Sequence, residues 1–132
     1  MTKLDSILSV DDKKKFAERY ECAPQEVRSL LDELVAIVQS KHPDVNVYPT
    51  DKPDLRFVSD VRVCATMQIR KHAPFIKIDL LGVKGALPGT SLEFHNSGDA
   101  VLKSYVYLSN FDGITDGIKY INAAISNSKS IL

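Results

Sequence analysis

The stretch RVCATMQIRKHAPFIKIDL, residues 62–80, decides the fold. Through Ile69 its odd positions are apolar (Val63, Ala65, Met67, Ile69), and its even positions are Arg62, Cys64, Thr66, Gln68 and Arg70. A period of two is the mark of a strand with one buried face. After Lys71-His72-Ala73-Pro74 the parity changes: Ile76, Ile78 and Leu80 point inward, Lys77 and Asp79 outward. Two such runs around a few turn residues make an antiparallel hairpin. One apolar face is enough to fold a strand, so the arginines, thiol and amide on the other face need a separate explanation.

Working outward, the period stays near two on both sides. VNVYP (45–49) is a short strand stopped by Pro49, and DLRFVS (54–59) sets Leu55 and Phe57 against Arg56 and Val58. Downstream, GVKGALPGTSLEFHNSGDA (82–100) holds four of the six glycines and reads as a long loop with a short strand around Leu92–Phe94. VLKSYVYL (101–108) is the last strand, with Leu102, Val106 and Leu108 on one face and Lys103, Tyr105 and Tyr107 on the other.

Helical spacing brackets these strands. In PQEVRSLLDELVAIVQSKH (24–42), Val27, Leu30, Leu31, Leu34 and Val38 recur at intervals of three and four. Pro24 suits the first turn and Pro43 ends the helix. A final helix, capped by Asp112, carries Ile114, Ile118, Ile121 and Ile125. Before residue 22 a charged helix is expected, capped by Asp11 or Asp12 with Val10 as a staple, and with Phe16, Ala17 and Tyr20 on one side. Its Lys13-Lys14-Lys15 run reads as a solvated side.

Short connections imply hairpins, and two amphipathic helices can both cover one face of the resulting sheet. The sequence therefore predicts one α+β domain over 1–132: an antiparallel sheet of about five strands, N- and C-terminal helices on one face, and the other face open. Residues 1–22 form a helical extension, 23–126 the helix–sheet–helix core, and 127–132 a frayed tail.

Composition narrows the function classes. The 132 residues are 44% apolar and 26% charged, with 17 basic and 17 acidic side chains. Zero net charge argues against a strongly basic nucleic-acid binder that works by phosphate neutralisation alone, while leaving room for a local patch. The chain opens with nothing like a secretion signal and has no run of membrane-spanning length, so a cytoplasmic protein that makes no membrane contact is expected. Its two cysteines, Cys22 and Cys64, are then expected as free thiols.

Catalytic patterns are thin. His42, His72 and His95 fall at a helix end, a turn and a loop, with no metal-ligand spacing among them. Cys64 with His72 could pair as nucleophile and base, but nothing in the sequence orients them. Pro53-Asp54 followed by Gln68-Ile69-Arg70 has the outline of a nuclease motif, yet it lacks the second carboxylate and has arginine in place of lysine. No metal, cofactor or catalytic residue is predicted.

The outward side chains make a more coherent set. Arg56, Arg62, Gln68, Arg70, Lys77, Lys103, Tyr105 and Tyr107 join Cys64 and Thr66, and Asp79 is the one acid placed among them. Such a face can contact phosphates, stack bases or hold an acidic peptide. Solvated strands also carry Arg, Lys, Thr and Tyr with no ligand at all. Three uses follow in order: a non-enzymatic binding module for an anionic macromolecule (nucleic acid or an acidic protein surface), a self-association face giving a homodimer, and a degenerate or cryptic enzyme.

APQEVRSLLDELVAIVQSKHPDVNVYPT (23–50) and GDAVLKSYVYLSNFDGITDGIKYINAAI (98–125) resemble the opening helix and closing strand–helix of a family of small domains of unknown function. That family is often labelled predicted transport protein and occurs alone or appended to restriction-endonuclease-like proteins. DLRFVSDVRVCATMQIRKHAPFIKIDL (54–80) is similar to its hairpin, with fewer aromatic residues than is usual there. The resemblance spans residues 23–126. It implies a helix–sheet–helix domain in a DNA-processing or defence setting, and it brings no catalytic residues.

Overall fold

The computed structural model describes residues 17–49, 54–59, 62–69, 73–96 and 102–130, with the backbone alone at Lys103 and Ser130. Residues 17–22 are helical (α1); then come α2 (Gln25–Lys41), β1 (Val45–Pro49), β2 (Leu55–Ser59), β3 (Arg62–Gln68), β4 (Ile76–Leu81), β5 (Glu93–Asn96) and β6 (Leu102–Leu108). A 3-10 turn, Phe111–Gly113, leads into α3 (Ile114–Ser130). The expected caps Asp11 and Asp12, Val10, Phe16 and the Lys13–Lys15 run lie outside the described residues.

The sheet is antiparallel throughout, with six strands in the order β1-β2-β3-β4-β6-β5. This is one more strand than the expected count of about five, and the short strand expected around Leu92–Phe94 is the edge strand Glu93–Asn96. The alternation of that short segment is hard to see in a glycine-rich stretch. β5 lies beyond β6, so the 82–92 connection must carry the chain past a strand instead of closing a hairpin.

Helical periodicity explains the covered face. α2 buries Val27, Leu30, Leu31, Leu34, Val35 and Val38. α3 buries Ile118, Ile121 and Ile125 together with Tyr120 and Ala124. Both stripes enter one core with Leu55, Phe57, Ala65, Met67, Ile76, Ile78, Leu80, Val106 and Leu108 from the sheet. Each large apolar side chain enclosed there contributes roughly 1.5–3 kcal/mol. Polar clasps fix how the layers sit. His42 Nε2 lies 2.7 Å from Asn122 Oδ1, between α2 and α3. The Tyr20 hydroxyl meets both Asp32 oxygens at 2.7 and 2.8 Å, and Arg19 donates to the Ile69 carbonyl at 3.1 Å.

Two helix boundaries differ from expectation. Asn110, not Asp112, is the cap before the final helix: its side chain accepts from Gly113 N–H at 3.2 Å. The chain also remains helical to Ser130 instead of fraying from 127. Ser128 is buried, Asn127 Nδ2 donates to the Leu81 carbonyl at 2.9 Å, and Lys129 Nζ lies 3.1 Å from Asp44. The hydrogen bond from Lys129 is the main reason the Asp44 carboxyl is held below the usual carboxylate range. Tertiary contacts thus override the weak helix propensity of Ser-Asn-Ser.

Gly82 sits at the foot of the long connection with φ +69°, and a Cβ there would come within 3.0 Å of Asn127 Nδ2. Gly82→Ala is expected to cost about 1–2 kcal/mol from the left-handed backbone, and further stability as Asn127 is pushed off Leu81. Gly89, at φ +76° with nothing within 4 Å, should show the backbone cost alone. Urea unfolding of the two variants checks this, and an equal loss in both would mean that the Asn127 clasp contributes nothing.

Candidate functional site

Among the described residues no helix packs on the opposite face of the sheet. There the register aligns one outward side chain from every strand: Tyr48 opposite Arg56, Arg56 opposite Thr66, Thr66 opposite Asp79, Asp79 opposite Tyr105, and Tyr105 opposite His95. A second row runs Gln68, Lys77, Tyr107, Glu93.

At the β4–β6–β5 end, four rings touch. Phe75 meets Tyr107 edge-on at 4.8 Å, and Tyr107 is likewise edge-on to Tyr105 and to His95 at 5.6 Å. His95 stacks on Tyr105 at 5.1 Å with 17° between planes, and the Lys77 ammonium lies 4.3 Å from the Tyr105 centroid. β4 and β5 flank β6, so Lys77 and His95 approach Tyr105 from opposite sides. Aromatic pairs of this kind contribute about 0.5–1.5 kcal/mol each beyond area burial, so the group holds its own shape before any ligand arrives.

Among the described residues, charge on this face is balanced. Asp79 is 8% exposed; Gln68 Nε2 donates to it at 3.1 Å and Lys77 Nζ lies 3.8 Å away. Glu93 Oε2 is 3.4 Å from His95 Nε2. Arg56 is exposed, with no ion pair among the described residues. Arg56 and Lys77 therefore face Asp79 and Glu93, where sequence reading had placed Asp79 as the one acid.

Of the expected face residues, the structure brings together Arg56, Gln68, Lys77, Tyr105 and Tyr107. Arg62 departs from them: it pairs with Ser59, on the parity of Leu55 and Phe57. The cause is a register shift opposite Phe57/Val58, where Val63 and Ala65 take consecutive partners and Cys64 is left over. Such a bulge resets the alternation for everything before it. Cys64, expected outward, is fully buried, with Sγ 3.7 Å from the Arg62 carbonyl. Arg70 and His72 lie outside the described residues, and so does the side chain of Lys103.

The sequence pattern places none of Tyr48, Phe75, Glu93 and His95 on this face, and puts His95 in a loop. Alternation in Glu93-Phe94-His95-Asn96 was the available signal, since Phe94 stacks inward on Tyr120 while His95 faces out. Cys22 and Cys64 are both free thiols. Among the described residues no three His, Cys, Asp or Glu side chains are grouped to hold a metal ion, and no helix is long and apolar enough to cross a membrane. No family model matches the chain, and comparison with curated proteins and with solved structures gives no match.

Proposed function

We propose that the chain is a non-enzymatic binding module whose uncovered sheet face holds nucleic acid. The observation that carries this reading is the group of touching rings, Phe75, Tyr107, Tyr105 and His95, on a face where they do nothing for the core. An acidic protein surface would engage Arg56 and Lys77 and give the rings nothing to stack on. What the face has in excess is ring area beside Arg56 and Lys77, which suits bases and phosphates together.

The test is fluorescence anisotropy of labelled oligonucleotides across a salt series. Affinity should fall with salt along the shallow slope that two cations give, and Arg56→Ala should weaken binding several-fold and flatten the log–log salt slope by about 0.7. No binding at low salt to any RNA or DNA tested would sink the reading. A wild-type dimer that Tyr105→Ala dissolves, with no oligonucleotide affinity, would sink it equally and assign the face to self-association.

A further inference from the structure

We infer that the occupant is a single strand that crosses the face at right angles to the β-strands, one unpaired base on His95 at one edge and another on Tyr48 at the other. This rests on the nucleic-acid reading above and adds the form and path of the ligand. The register supplies the path, because Tyr48, Arg56, Thr66, Asp79, Tyr105 and His95 form an unbroken row across all six strands.

Rings stand at both ends of that row. Tyr48 is 44% exposed and takes no part in the core. At the other end Tyr105 is flanked by His95 and Lys77, so the ring still open to a base is His95, whose side chain is 40% exposed. Between them Thr66 and Asp79 are 7% and 8% exposed, and contact there falls to exposed Arg56, next to Tyr48.

Spacing and twist favour a flexible strand over a duplex. Strands lie about 4.8 Å apart, so the row is roughly 24 Å long, the reach of several nucleotides. Neighbouring strands of a sheet are rotated by about 20°, which over five steps would turn the end side chains of the row roughly 100° apart. A flexible strand can follow that turn, whereas a stiff duplex meets one end and keeps its bases stacked within itself.

The chain has no tryptophan, so a single introduced indole reports its own site. Tyr48→Trp and His95→Trp, titrated with an oligothymidine of about eight nucleotides, should both be quenched, saturating at the same concentration. A blunt duplex should bind at least about tenfold more weakly. Anisotropy of the same labelled strand should show that Tyr48→Ala and His95→Ala each lose about tenfold, with His95→Phe restoring binding. Quenching at His95→Trp alone, with intact affinity in Tyr48→Ala, would overturn the crossing path and leave the nucleic-acid reading standing. Equal response to duplex would overturn the single-strand assignment. Absence of binding in every assay would overturn both.

Discussion

Tyr120→Ala is expected to lower the unfolding free energy by about 3–5 kcal/mol, a large share of the roughly 5–15 kcal/mol typical of one domain. Its ring is fully buried on α3 and stacks on Phe94 at 5.9 Å. Truncation therefore leaves a cavity beneath the edge strand. Its hydroxyl does a second job: it accepts from Leu87 N–H at 3.0 Å and lies 2.9 Å from Thr90 Oγ1, which itself donates to the Leu87 carbonyl at 2.7 Å. Because the threonine proton is used on Leu87, the tyrosine proton must go to Thr90. The three bonds form a closed ring that ties the 82–92 connection to α3.

Tyr120→Phe separates the two contributions. It keeps the ring and strands the Leu87 amide, at a cost of about 1–3 kcal/mol. Urea denaturation gives the free energies, and amide exchange at Leu87 should accelerate in the phenylalanine variant ahead of global unfolding. Equal unfolding midpoints for Tyr120→Phe and wild type would show that the closed ring contributes nothing. The connection is also what delivers β5, and with it His95, to the outer side of β6. Loss of Tyr120 should therefore loosen the ring group on the opposite face.

The sequence showed most clearly what periodicity encodes. Val27 through Val38 and Ile118 through Ile125 mark the helix faces, and Met67, Ile76 and Ile78 mark the inner side of the hairpin. The errors lie where a single residue breaks the period. One unpaired position at Cys64 moved Arg62 off the face and buried the thiol. A bulge changes register without changing composition, so an uninterrupted alternation of residue types can conceal it. The helix past Ser126 was missed for a different reason: Asn127 and Lys129 are held by Leu81 and Asp44, far away in sequence, which local propensity does not see. His95 shares this second difficulty. It lies on a four-residue strand whose place is set by a loop anchored on α3.

Tyr105→Ala with Tyr107→Ala is expected to weaken oligonucleotide binding by about 10- to 100-fold, since base stacking on aromatic side chains contributes about 1–3 kcal/mol per base. Both residues are half-buried on the outer face of β6, so the pair forms the wall on which His95 stands and the rest for Lys77. Removing it frees His95 to turn, and a histidine that must be ordered on binding holds a base less well than one already in place. Some stability goes too, about 0.5–1.5 kcal/mol for each ring pair lost, so binding must be measured well below the unfolding midpoint. Tyr105→Phe with Tyr107→Phe keeps the wall and should bind nearly as wild type, which separates ring stacking from any hydroxyl contact. If instead the phenylalanine pair binds as poorly as the alanine pair, the hydroxyls carry the contact and the stacking account is wrong. If neither pair changes binding while Arg56→Ala does, the face works through charge, and the ring group serves the sheet alone.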